Sequence, residues 1–172
     1  FGPVYTLTLA HPFRSIADYA ELVSQKAMAI AKETKRSDLT LIGHSMGGLV
    51  SVWYASKVAA QGKVGDVITI GSPMGGTKLA AIAIGSNGRE MQRGSDFVRQ
   101  LQEELQQNNR IRFYHIASKA DQIVLPYSSA LTGLHPEREY LVDDIGHMSL
   151  LYSFRVADKI EEWLSPLRET LS

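Results

Sequence analysis

The sequence predicts an α/β fold, a doubly wound and mostly parallel sheet, on three observations. Short β-branched runs alternate with stretches of helical periodicity, in the order strand, helix, strand, helix. One of the runs, Val67-Ile-Thr-Ile70, is β-branched throughout and nearly continuous in apolar residues, as in strands buried on both faces of a parallel sheet. The third is a strand that passes through a glycine-flanked serine directly into a helix, at Gly43-His-Ser-Met-Gly47.

Taken in order, Val4 to Leu9 is β-branched or aromatic enough for a strand and is stopped by Pro12. A helix follows from Ser15, with Asp18 as the capping partner and Ile16, Tyr19, Val23, Ala27 and Ile30 at helical spacing. Leu39 to Ile42 is the next strand, and Gly48 to Ala60 the next helix, with Leu49, Val52 and Ser56 on one side. Asp66 to Gly71 is a strand. Residues 72 to 94 are rich in Gly, Ser and Pro and are expected to form a loop with a short helix at Lys78 to Ile84. Ser95 caps a helix carrying Val98, Leu101 and Leu105, which stops in the polar run Gln106 to Asn109. Strands at Ile111 to Ala117 and Glu139 to Val142 flank a turn-rich stretch with Pro126, Gly133 and Pro136, and a final helix spans Leu150 to Leu164. Crossovers joining such strands are right-handed, and chemistry gathers at the strands' C-terminal ends.

The 172 residues, 44% apolar and 21% charged, suit one domain spanning 1–172 with a single core. No segment holds the roughly 18 uninterrupted apolar residues of a membrane span. Eighteen basic residues balance eighteen acidic ones, so no global field draws in nucleic acid or an anionic surface. The absence of cysteine excludes disulfides, thiolate metal sites and a thiol nucleophile, but leaves the compartment open. A start at Phe1 with no basic and apolar leader leads us to expect that residues have been removed upstream.

Gly43-His-Ser-Met-Gly47 is G-x-S-x-G in a strand-turn-helix setting. A serine hydroxyl is a weak nucleophile, so it must be exposed, near a base, and beside donors for the developing oxyanion. A tight turn provides this by holding Ser45 at positive φ, with room only for small residues two before and two after it, here Gly43 and Gly47. The helix behind Ser45 adds its dipole and offers the Met46 N–H as an oxyanion donor. The elbow requires an acid and then a histidine, each past a later strand. Asp121 follows Ile111 to Ala117, and His147 follows Glu139 to Val142. Of the rivals, His115 lies inside a strand, His135 is in a loop beside Pro136, and His44 points away from its neighbour in the elbow, leaving His11 as the main competitor. Asp143 and Asp144 lie too near His147 in sequence and read as a solvated pair at a strand end.

From Val4 to Leu164 the chain resembles bacterial α/β-hydrolase esterases and lipases of the triacylglycerol-lipase type. The resemblance rests on Leu41-Ile-Gly-His-Ser-Met-Gly-Gly-Leu49, Ile70-Gly-Ser-Pro-Met-Gly-Gly-Thr77, Ala117-Ser-Lys-Ala-Asp-Gln-Ile-Val124 and Gly146-His-Met-Ser-Leu-Leu-Tyr152. It implies hydrolysis of carboxylic esters, of small-molecule or lipid origin, through an acyl-enzyme with no cofactor and no metal. Met46, Met74 and Met148 either line an acyl pocket or fill gaps in the core; with His11 and His44, Met74 and Met148 are the pocket candidates.

The family carries an earlier strand and a His-Gly loop that supplies the second oxyanion N–H, and no such segment precedes Ser45. The expected sheet is therefore reduced at its N-terminal side. Either the chain is truncated, or the His11-Pro-Phe13 loop stands in, or a second chain contributes. The short Gly71 to Ile111 segment leaves little room for a large lid, pointing to an accessible site and to soluble or short-chain esters at least as much as bulk lipid. Thioester hydrolysis and acyl transfer use the same machinery, and a non-catalytic binding module is the alternative of another class.

Overall fold

The computed structural model describes residues 2–9, 14–36, 38–60, 63–82 and 85–165. Helix α1 (Ile16–Thr34) begins at a full capping box: the Ser15 hydroxyl accepts from the Asp18 N–H at 3.1 Å, and the Asp18 carboxylate accepts from the Ser15 N–H at 3.2 Å. It ends at Lys35, which turns left-handed at φ 59°. Strand β1 (Leu39–His44) leads to α2 (Met46–Trp53), which runs on as a π-turn over Tyr54–Val58. After β2 (Val64–Ile70) come a 3₁₀ turn at Lys78–Ile82, α3 (Ser86–Glu90) and α4 (Asp96–Gln107). Then β3 (Arg112–Ser118) and β4 (Glu139–Val142) precede a 3₁₀ turn at Met148–Tyr152 and α5 (Phe154–Leu164).

The four strands form one parallel sheet in the order β1-β2-β3-β4. Alternation along the strands divides the core into two layers, because successive side chains leave a strand on opposite faces. Leu41, Val67 and Phe113 pack with α1, α2 and α4 through Ile16, Tyr19, Leu49, Val52, Leu101 and Leu105. Ile68, Ile70, Tyr114, Ile116 and Val142 pack on the other face against Val156, Ile160 and Trp163 of α5. Helices thus cover both faces, as in a doubly wound fold. All four strands point the same way, so the loops after His44, Ile70, Ser118 and Val142 share one edge of the sheet.

Three local expectations are corrected. Residues 4–9 form no strand: Val4 is 82% exposed, Tyr5 lies beneath the Lys26 ammonium of α1 at 5.8 Å, and Leu9 leans on the core. β-Branched composition says that a segment would fit a pleated surface, not that a ladder partner is within reach. Among the described residues β1 pairs with β2 alone. The last helix does not run unbroken from Leu150, because Ser153 at φ −85° and ψ 120° is extended; its hydroxyl caps α5 through the Val156 N–H. The Gly- and Ser-rich stretch after β2 holds, besides the expected short helix, which is the 3₁₀ turn at Lys78–Ile82, a further helix α3, whose five residues are too few to show a periodic apolar face.

Candidate active site

Ser45 joins β1 to α2 at φ 55° and ψ −128°, a strained conformation for a residue with a Cβ. Two contacts hold it there. Its N–H donates to the Ile70 carbonyl at the end of β2 (2.9 Å), and its own carbonyl accepts from the Gly48 N–H (3.1 Å). The glycine at 43 is required, since a Cβ there would stand 2.5 Å from the Gly47 carbonyl carbon. The crowding expected at Gly47 falls elsewhere: a Cβ at 47 meets nothing within 4 Å, whereas one at Gly48 would be driven into the Ser72 side chain, 2.7 Å from its Cβ. The turn therefore folds Gly43 onto the helix backbone, while the helix packs Gly48 onto the loop after β2. Met46 is the first residue of α2, where an N–H has no partner within the helix.

Asp121 and His147 meet at the same edge. The His147 Nδ1 lies 2.7 Å from the Asp121 Oδ2, and both side chains are buried. The other carboxylate oxygen accepts from the Ile123 N–H (2.8 Å) and the Val124 N–H (2.9 Å). Burial by itself would raise the Asp121 pKa; the bonds from His147, Val124 and Ile123 outweigh it and hold the group below its ordinary value. An ionised carboxylate only accepts, so His147 donates to it from Nδ1.

The segment after β2 binds these parts together. Gly71, at φ 53°, lies so close to the pair that a Cβ would stand 3.3 Å from both the Asp121 Oδ2 and the His147 Nδ1. Its neighbour Ile70 takes the Ser45 N–H, so one dipeptide borders the elbow and the acid–histidine pair. Thr77 grips the Asp121 loop from the other side: its hydroxyl donates to the Ile123 carbonyl (2.8 Å) and accepts from the Leu125 N–H (3.0 Å). These contacts give a physical content to the Ile70 to Thr77 motif. The sequence showed the motif but not the role of Thr77, whose partners lie more than forty residues away.

His44 lies against His147. Its Nε2 lies 3.1 Å from the His147 carbonyl oxygen, and the two rings stand 4.6 Å apart at 45°. Met74 is buried in the core against α4, where it borders a cleft of about 150 Å³ with Gln102, Leu105 and Leu131. Met148 is 62% exposed beside His147, and Met46 takes a contact from the Asn87 amide at 3.3 Å. His11 lies outside the described residues. His115 is buried and bonded to the Thr69 hydroxyl (2.8 Å), His135 sits near Glu137, and Asp143 and Asp144 pair with Lys119 and Arg155 on the surface. Among the described residues no group of three His, Cys, Asp or Glu could hold a metal, and no helix is long and apolar enough to cross a membrane.

A family model, the PGAP1-like alpha/beta domain, matches residues 10–138. The chain belongs to that family. This PGAP1-like domain is similar to solved structures at low identity. The mature form of the Bacillus licheniformis lipase BlEst2 superposes with a TM-score of 0.67 at 16% identity, covering 91% of this chain and 76% of that one. A gene product of Listeria innocua gives 0.65 at 16%, over 88% and 67%. Aspergillus fumigatus lipase B gives 0.62 at 21%, over 80% of this chain and 39% of the fungal one. At these identities the likeness shows the fold, that of the α/β-hydrolases. The family match takes in Ser45 and Asp121 and stops before His147.

Proposed function

We propose that this PGAP1-like domain is a serine hydrolase that cleaves carboxylic esters through an acyl-enzyme on Ser45. The observation that carries the proposal is the Asp121–His147 pair, buried and 2.7 Å apart, set at the sheet edge from which the strained Ser45 projects. In this mechanism the Ser45 Oγ attacks the ester carbonyl carbon while the lone pair on the His147 Nε2 takes the hydroxyl proton. Asp121 keeps the imidazole in the Nδ1–H tautomer and stabilises the imidazolium. The oxyanion faces the Met46 N–H at the α2 N-terminus. Collapse breaks the carbonyl–alkoxy bond, and the alcohol leaves with the proton from His147. Water, deprotonated by His147, then releases the carboxylic acid and restores Ser45. No step draws on a cofactor.

The lipases among the structural neighbours support ester substrates at the level of the fold. The test is labelling with a fluorophosphonate, which phosphonylates an activated serine. The intact chain is expected to label at Ser45, Ser45→Ala is expected to be silent, and the intact chain is expected to release acid from short-chain acyl esters. Equal labelling of Ser45→Ala, or none of the intact chain, refutes the proposal and leaves the non-catalytic binding module.

A further inference from the structure

We infer that His44, the residue before the nucleophile, is a positioning residue that ties the His147 loop to the elbow and so sets the distance between Ser45 and its base. The inference rests on the roles proposed above for Ser45 and His147. A carbonyl oxygen can only accept, so the 3.1 Å contact fixes the His44 proton on Nε2 and makes the ring a donor to the His147 main chain. The bond spans 103 residues and joins the end of β1 to the loop after β4, which are the two outer strands of the sheet among the described residues. Among the described residues, no other hydrogen bond runs directly from the elbow to the His147 loop.

The rest of the His147 loop is held from other directions. Its side chain is held by Asp121, and the 3₁₀ turn after it closes through the Leu150 N–H to the Gly146 carbonyl (3.1 Å). Neither contact relates the loop to Ser45. The His44 bond does, because His44 ends β1 and Ser45 follows it directly. Ring contact at 4.6 Å adds a second restraint on the plane of His147. Burial keeps His44 below its ordinary pKa, so the ring stays neutral and adds no charge beside His147. Proton transfer is sensitive to placement on a scale of about 1 Å, so a tether on the base's own main chain acts on the rate rather than on substrate affinity.

The experiment measures the fluorophosphonate inactivation constant and the reversible binding constant separately on the full chain, with thermal unfolding of each variant as a control. His44→Gln places its amide nitrogen near the position of Nε2 and keeps the donor; His44→Asn reaches only as far as Nδ1, and His44→Phe keeps a ring without a donor. The expected result is that His44→Asn and His44→Phe inactivate about tenfold more slowly with binding unchanged, while His44→Gln stays within about threefold of the intact chain. Should His44→Phe fail to fold, the Gln and Asn pair decides. Inactivation at the intact rate in His44→Asn overturns the inference, as does an equal loss in His44→Gln. An intact chain that does not label at Ser45 overturns the proposed function itself, an outcome distinct from either.

Discussion

Mild acid is expected to destabilise this domain through one buried side chain, His115. It sits in the middle of β3, in register with Thr69 on β2 and Glu139 on β4, and is 3% exposed. Burial pushes its pKa down from 6.5 to about 4, with Glu139 opposing and His135 reinforcing the depression. In the unfolded chain the ring binds a proton below its ordinary pKa of about 6.5, whereas in the folded chain it stays neutral until about pH 4. Between those values the unfolded state holds more protons, so stability rises with pH and is lost on acidification. At about 1.36 kcal/mol per pH unit, the full window is worth about 3 kcal/mol, and about 2 kcal/mol of it is lost between pH 7 and pH 5. With a urea slope of roughly 2 kcal/mol per molar, the unfolding midpoint falls by about 1 M over that interval. His115→Asn keeps a polar atom near the Nδ1 position for Thr69 and removes the titration. Urea unfolding of both chains at pH 7 and pH 5 gives the comparison, in which the other histidines cancel. Asp121, held below its ordinary value of 3.8, keeps its stabilising effect above that pH and loses it only in stronger acid, beneath the His115 window. Parallel declines in the intact and His115→Asn chains would refute the linkage.

Two further outcomes follow from the geometry of the elbow and its surroundings. Gly43→Ala should cost about 2 to 3 kcal/mol in urea unfolding because its Cβ has backbone in its way, whereas Gly47→Ala, with open space and a helical position, should be neutral or stabilise by about 0.5 kcal/mol. Equal losses at the two positions would contradict the steric account. Thr77→Val removes a hydroxyl that both donates to and accepts from the Asp121 loop. It should lower stability by about 2 kcal/mol and depress kcat on a short-chain ester more than it changes KM; a change confined to KM would place Thr77 in substrate binding instead.

The elbow was legible because its physics is local. Helix start, glycine clearance and the turn serine all fall within Gly43 to Gly48, and the steric demand of a tight turn is written in neighbouring residues. Even so, the sequence named Gly47 as the crowded partner where the structure names Gly48, because that collision is with Ser72 on another strand's loop. The Ser15 and Ser95 caps were legible for the same reason, each being satisfied three residues away. The fate of residues 4–9 was not, since a strand exists only where a neighbour offers its ladder.

By itself, then, the sequence determined the alternating α/β order, the serine turn, and the chain order in which an acid and a histidine follow it. The tertiary structure decided what those residues touch. It joined Asp121 to His147 across 26 residues by laying β3 beside β4, clamped the acid loop with Thr77, and set His44 against the His147 carbonyl. The physical reason is range: capping and backbone strain act within a turn, whereas hydrogen bonds between distant segments exist only after hydrophobic packing has chosen which strands are neighbours.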